Sequence, residues 1–421
     1  LSSRLFGKGR FFILLLCVFL SITGLMHAGG RRPSSPNEEI QFWHSMGTHE
    51  KEVLSSMVAE YNSGDRQPAV QAVFQGSDSD LFLNLMSQDK LPELVLLPVH
   101  YLNVLRERGI VADVSTFIPN RIRDDIDAKY WDSVSIEGGT YGVPFSFNST
   151  ILYVNQYLLR ISGTRIYREP ETWEEVEPIL VKIRDNAEGK WGLFIPMEGI
   201  QHFIAFVESF TGKAVLNDQR LIVNSKEAVR AMTALQGFVY RQQFMPPKLT
   251  SAEAEQMFLS GNLGIVMGSS SRLVFTKSNL PYNLTVWGMP SPGQTPPIIS
   301  GVCLAVTKEG IHRGRDIFQF IEFLISEDNA IKWHTRTGSP PLLNSTKESL
   351  DLLIFYEENP NYMTSIIEME GGRVFAPPFD VFQADTITRR ALERIMVGGE
   401  EPARILDELQ RELDMLLLTA M

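Results

Sequence analysis

GGTYGVPFSFNSTILYVN, residues Gly138 to Asn155, places two apolar runs either side of a polar knot, Ser146 to Thr150. A two-glycine turn leads in, and Ile151, Tyr153 and Val154 lead out with side chains that favour extended backbone. The stretch therefore predicts two strands with the knot tied between them. Polar groups inside a folded chain cost free energy unless something bonds them, so the knot is either satisfied locally or lines a site for a ligand. A second apolar passage, Pro297 to Val306 (PIISGVCLAV), carries the same kind of small polar interruption.

Between and around these passages the chain alternates. Strand Ile40 to Trp43 is followed by a helix over Glu50 to Tyr61, with Val53, Met57, Val58 and Tyr61 on one face. Strand Ala69 to Phe74, helix Asp80 to Gln88, strand Glu93 to Pro98 and helix His100 to Arg108 continue the series. After the knot come helix Trp173 to Asp185, strand Trp191 to Pro196 and helix His202 to Phe210. A capping box of Asn224 and Glu227 is expected to open the next helix. Helix Ala252 to Leu259, strand Leu263 to Met267 and helix Arg315 to Ile325 follow, and Pro402 begins a last helix with Ile405, Leu409, Leu413 and Leu416 inward. Alternating units with nearly continuous apolar strands imply parallel sheets covered by helices. Two such α/β units joined by strands that cross between them more than once would face a cleft at the crossover, lined by the polar knots.

The totals agree with two lobes. A chain of 421 residues, 44% hydrophobic and 21% charged, exceeds what one core fills. The net charge of -11 leaves no basic stripe for nucleic acid. Arg4, Lys8 and Arg10 precede the apolar run FFILLLCVFLSITGLM, a secretory signal layout over residues 1–28, and residues 29–37 read as a polar tether. Ala28 suits the residue before a cut. Lipidation would use Cys17, but Leu16 is large for the position ahead of it. Cys17 and Cys303 are the two cysteines, so an exported chain has no internal disulfide to rely on. Sequons at Asn148, Asn283 and Asn344 matter only in a eukaryotic secretory pathway.

Several segments, in order, carry a family resemblance: FWHSMGTHEKEV (Phe42 to Val53), YGVPFSFNSTILYVNQYLL (Tyr141 to Leu159), PETWEEV (Pro170 to Val176), VMGSSSRL (Val266 to Leu273), IISGVCLAV (Ile298 to Val306), IEFLISEDNAIKWHTRTG (Ile321 to Gly338) and FYEENPN (Phe355 to Asn361). Together they make the chain resemble the extracytoplasmic solute-binding proteins of carbohydrate-type ABC importers, closest to the members that bind sn-glycerol 3-phosphate. The resemblance implies an α/β clamshell of the type II periplasmic-binding-protein kind, each lobe a mainly parallel sheet flanked by helices. Its lobes are expected to be residues 38–146 plus 299–338 and residues 147–298 plus 339–421, with a third crossing near Ser339 to Leu343. It also implies partners: a small solute (a sugar, polyol or glycerophosphate ester) and the permease subunits in the membrane. The protein is expected to work as a monomer in the periplasm or on the outer face of the cytoplasmic membrane, with no cofactor, metal or nucleic acid.

The resemblance also assigns ligand-binding residues. Ser269, in the Gly268-Ser269-Ser270-Ser271 turn, and Gly301 match family contacts, and amides plus hydroxyls at such a turn suit an anion or polyol. Asn148 stands where the family has a hinge serine. Trp173 could stack on a ligand's carbon face or, equally, pack at a helix start. Elsewhere the chain departs from the family: Asp78 and Ser339 replace tyrosines, Val99 beside His100 replaces a glutamate, and Asp385 replaces the arginine that holds phosphate, with Arg389 and Arg390 one turn on. These changes leave neutral carbohydrate or polyol level with glycerol phosphate as the expected solute.

Two other function classes compete. The chain has His44, Ser45, His49 and many carboxylates but no G-x-S-x-G, H-E-x-x-H or P-loop, so a secreted carbohydrate-active hydrolase with two dispersed carboxylates is the enzyme alternative. A clamshell surface or interaction protein without a transport role is the other. His44 reads as a strand-end residue, and Trp333-His334 as helix packing.

Overall fold

The computed structural model describes residues 39–419 apart from 65, 67, 217–220, 294 and 378. The signal-like segment, the tether and Cys17 lie outside the described residues.

Strands β1 (Ile40–His44), β2 (Val70–Phe74) and β3 (Leu94–Pro98) pair in parallel, β1 between the other two. Helices Thr48–Ser63 and Asp78–Ser87 connect them. The second helix is fixed by a capping box, in which Ser77 accepts from the Asp80 amide while Asp80 reaches back to the Ser77 amide. The next connection starts as a 3-10 turn, Val99–Tyr101, before helix Leu102–Glu107, so His100 sits at the strand's end and not on the helix expected from His100. After the two-stranded ribbon β4 (Ser135–Ile136) and β5 (Gly139–Thr140) comes the decisive stretch.

That stretch is one strand. β6 runs unbroken from Val143 to Asn155, 13 residues through the polar knot, where two strands were expected. Its first half pairs antiparallel with β10 (Ile298–Val306), from Val143 opposite Leu304 to Ser149 opposite Ile299. Its second half, Thr150 to Asn155, lies between β8 (Leu263–Ser269) and β9 (Leu284–Trp287), antiparallel to both. β7 (Trp191–Phe194) pairs in parallel with β8, and β11 (Arg373–Val374) in parallel with the start of β10. The path β2-β1-β3-β10-β6-β8-β7 therefore joins two sheets through two long crossing strands. β10 pairs with the knot from Ser146 to Ser149 and β8 with Thr150, while the Ser149 amide donates to Ser270 Oγ, so the polar side chains do not break the strand.

Two hydrophobic cores confirm the two-lobed architecture. One gathers Phe42, Leu54, Leu96, Phe147, Leu304 and Phe320, the other Ile151, Leu180, Phe206, Leu235, Ile265 and Leu409, all fully buried or nearly so. On β6 the core changes between Phe147 and Ile151. Leu342 and Leu343 still pack on the first core, whereas Phe355 and Tyr356 pack on the second, so the later passage falls a few residues beyond the expected Ser339 to Leu343.

Local details follow from capping. Helix Lys226–Tyr240 is capped by Ser225, whose Oγ accepts from the Ala228 amide at 3.1 Å; Asn224, the expected cap, bonds Asp407 on the last helix instead. That last helix, Pro402–Thr419, buries Ile405, Leu409 and Leu413 as its periodicity requires. Cys303 is buried in β10, and burial pushes its thiol up to about 12, leaving it unreactive.

A candidate solute cleft at the crossing strands

The carboxyl ends of β1, β2 and β3 point towards the crossing, and the residues just after them form one wall of a cleft of about 230 Å³. Ser45, Met46 and Gly47 follow β1, Asp78 follows β2, and His100 follows β3. The floor is the crossing itself, with Ser146 and Asn148 from β6 and Ser300, Gly301 and Val302 from β10. Gln201, at the start of helix Ile200–Thr211, and Ser269 and Ser271, at the end of β8, face them from the other lobe. Glu50, Pro98, Trp333 and Ser339 complete the lining. A larger hollow of about 810 Å³ lies on the outer side of β9, lined by Arg160, Arg165, Arg168 and Tyr167, and holds none of the expected site residues.

Five of the expected residues thus come together: Asp78, Asn148, Ser269, Gly301 and Ser339. They are spaced along more than 260 positions of sequence, and the crossing strands unite them. The floor is laced across the lobes. Buried Ser270 Oγ donates to Asn148 Oδ1 and accepts from the Ser149 amide, each at 3.2 Å. Tyr153 donates its hydroxyl to the Ser269 carbonyl at 2.6 Å, and the Trp333 indole donates to Ser146 Oγ at 3.1 Å. Ser271 and its neighbours open a 3-10 turn, with Ser269 Oγ accepting from the Ser271 amide, so the hydroxyl also caps.

Two expected residues lie elsewhere. Trp173 is 1% exposed within the second core, edge-on to Phe206 at 5.5 Å, and its indole donates to Ser209 Oγ at 2.9 Å. It takes the packing role that its position at a helix start also allowed. Asp385 accepts from the Ile200 amide at 2.8 Å and so caps the helix that carries Gln201. Burial pushes its carboxyl above the usual range, against the opposing pull of the Ile200 amide and Arg389. Neither nearby arginine reaches the cleft: Arg389 donates to the Glu198 carbonyl, and Arg390 is paired with Glu412.

Glu50, His100, Gln201 and Ser45 were not among the expected ligand residues. The signal that could have found Ser45 and His100 is their place just after parallel strands, and that for Glu50 its place in the first turn of the helix after β1. Ser45 Oγ donates to Asp78 Oδ1 at 2.5 Å, while burial raises the Asp78 carboxyl above its ordinary range. Burial likewise holds the His100 imidazole down at about 4, so it is neutral at neutral pH. Burial first, and the carboxylates of Asp78, Asp385 and Asp380 as well, push the neighbouring Tyr101 phenol up to about 12. His100 Nδ1, Glu50 Oε2 and Ser339 Oγ are sealed from solvent and have no hydrogen-bond partner. Unpaired polar atoms converging on one cavity are what a site for a hydroxyl-bearing molecule presents. Among the described residues there is no group of His, Cys, Asp and Glu placed to hold a metal.

The chain matches the family of bacterial extracellular solute-binding proteins over residues 56–364. It is 24% identical over 415 residues to the sn-glycerol-3-phosphate-binding periplasmic protein UgpB of Escherichia coli (strain K12), covering 87% of this chain and 90% of that protein. The Shigella flexneri UgpB is 25% identical over the same span. Among solved structures, UgpB from Mycobacterium tuberculosis in complex with glycerophosphocholine superposes with a TM-score of 0.80 at 17% identity, covering 90% of this chain and 98% of that one. Maltose-bound MalE3 of T. maritima superposes with a TM-score of 0.77 at 18% identity, covering 90% and 99%.

Proposed function

The chain belongs to the bacterial extracellular solute-binding proteins, and from that premise we propose that it captures a small sugar, polyol or glycerophosphate-type solute in the cleft at the crossing strands and delivers it to the membrane permease of an ABC importer. The observation that carries the reading is the cleft itself, which residues from both sides of the crossing line and to which Glu50, His100 and Ser339 bring sealed, unpaired polar atoms. Such a cavity binds by replacing a solute's water with fixed hydrogen bonds. Lobe closure would be the signal of occupancy that the permease reads. The lobes exchange chain at residues 148–150, between 298 and 299, and again beyond Leu343.

On this reading the protein does no chemistry on its solute and works as an exported monomer. Support for export comes from the family and from the periplasmic relatives. No helix among the described residues is long and apolar enough to cross a membrane. Cargo is proposed to bind through Asp78, Asn148, Ser269, Gly301 and Ser339, joined by Glu50, His100 and Gln201.

The test is native mass spectrometry of the purified protein for a co-purifying solute. It is followed by thermal melting and small-angle scattering with that solute and with a panel of sugars, polyols and glycerophosphodiesters. A ligand present at a hundredfold over its Kd stabilises the folded state by about 2.7 kcal/mol, and closure should shrink the scattering radius. No stabilisation and no change in radius with any of them would sink the reading.

A further inference from the structure

The charge of the cleft is one-sided. Glu50 and Asp78 line it, Asp385 stands close behind through Tyr101, and no lysine or arginine is among the described residues that line it. Cations on the elements around it are engaged elsewhere. Lys51 lies over the Phe74 ring at 4.5 Å, Arg272 pairs with Glu255 and covers Phe275, and Arg389 holds the Glu198 carbonyl. A phosphate entering here finds no guanidinium or ammonium to meet it.

Backbone amides could still supply a substitute, since the start of a helix attracts anions. Helix Thr48–Ser63 opens onto the cleft at Gly47, which offers no side chain to cap it. The helix fills that place from its own first turn. The Glu50 side chain folds back over Gly47, whose Cα would carry a methyl group only 3.1 Å from Glu50 Oε2. A carboxylate there gains from the helix dipole. Its Oε2 is sealed and makes no hydrogen bond, so the carboxylate stands at the cavity wall without a donor of its own.

We propose that Glu50 sets the charge selectivity of the cleft, holding the anion position of helix Thr48–Ser63 with its own carboxylate and reserving the site for uncharged, hydroxyl-rich solutes against phosphate monoesters. The proposal rests on the solute-binding reading above and names the class of solute. A sugar or polyol hydroxyl can donate to the Glu50 carboxylate, whereas a phosphate oxygen brings a second negative charge beside it with no donor between them. His100, neutral in its buried setting, can trade hydrogen bonds with a hydroxyl but supplies no positive charge.

The test is calorimetric titration of the wild-type protein and its Glu50→Gln variant with maltose, trehalose and sorbitol on one side and sn-glycerol 3-phosphate and inorganic phosphate on the other. Glu52→Gln, an exposed charge removed from the same helix, serves as the control. The wild type is expected to bind at least one neutral member and to take glycerol 3-phosphate at least tenfold more weakly. Glu50→Gln should narrow that gap at least tenfold, and Glu52→Gln should leave it within twofold. Glycerol 3-phosphate bound by the wild type as tightly as the best neutral member would overturn the inference while leaving solute binding intact. So would an unchanged gap in Glu50→Gln, or an equal narrowing in Glu52→Gln. Binding of none of the five would instead overturn the solute-binding reading itself.

Discussion

Gly301 on β10 lies directly opposite Phe147 on β6, so close that a methyl group on its Cα would collide with the phenyl ring. The two strands cross between the lobes here, and Phe147 is fully buried in the first core. Gly301→Ala must push the ring or spread the strands. Overpacking of this kind costs about 1–3 kcal/mol. Urea unfolding should show that loss, and an unchanged midpoint would mean the crossing has room that the packing denies it.

Two adjacent serines should behave differently. Ser270 is buried and serves both the Asn148 amide oxygen and the Ser149 amide, so Ser270→Ala strands a buried N–H and should cost about 1–3 kcal/mol. Ser269 is exposed to the cleft and caps only a short 3-10 turn, so Ser269→Ala should cost about 0.5 kcal/mol, the low end for a lost cap. Its effect should appear as several-fold weaker solute binding. Melting curves beside titrations separate the two, and a stability loss at Ser269 equal to that at Ser270 would contradict the assignment.

Trp173→Ala should act through the fold and not through the site. The side chain fills the second core and its indole is bonded to Ser209, so truncation should cost about 3–5 kcal/mol. Solute affinity, measured where the variant remains folded, should stay within about twofold. A stable variant with abolished binding would return Trp173 to the cleft.

Stability should fall on both sides of a mildly acidic optimum. Burial, and then the facing carboxylate of Glu169, hold Glu368 up at about 7 beside Gly288, so the folded state keeps a proton that the unfolded chain loses near 4.5. That contribution is full below 4.5 and is lost as pH rises through about 7. The buried imidazoles of His44, His100 and His334 run the other way: each is held down at about 4 by burial, so their contribution is full above 6.5 and is lost as pH falls through about 4. Glu368→Gln should therefore gain on the wild type with rising pH, by about 3 kcal/mol at pH 8. A difference that does not vary between pH 5 and pH 8 would show that Glu368 does not titrate this way.

Much of the fold was legible in the sequence because strands and helices there are amphipathic at their own periods. Helix Ser251–Leu259 and strand β8 lie within two residues of their expected bounds. What failed was local reading of features that distant chain decides. The polar knot looked like a break because its partners, β10 and Ser270, lie more than a hundred residues away. Asn224 and Ser225 are both good caps in isolation, and Asp407 on the last helix drew Asn224 away. The family resemblance brought five residues to the cleft. It could not reveal Glu50, whose role depends on a side chain folding back over a glycine. Trp173 left two readings open that only burial could separate.

The unbroken run of β6 decides how the two halves can swing. A loop hinge would let them flop, but here the residues from Ser146 to Val154 are tied into strand ladders that continue on both sides of Asn148. Rotation must then be taken up as torsion shared between β6 and β10, with the register shift between Val302 and Cys303 as the place where strain can be released. Two strands tied in this way leave the halves joined by a stiff ribbon whose twist, and not a free pivot, sets the angle between them.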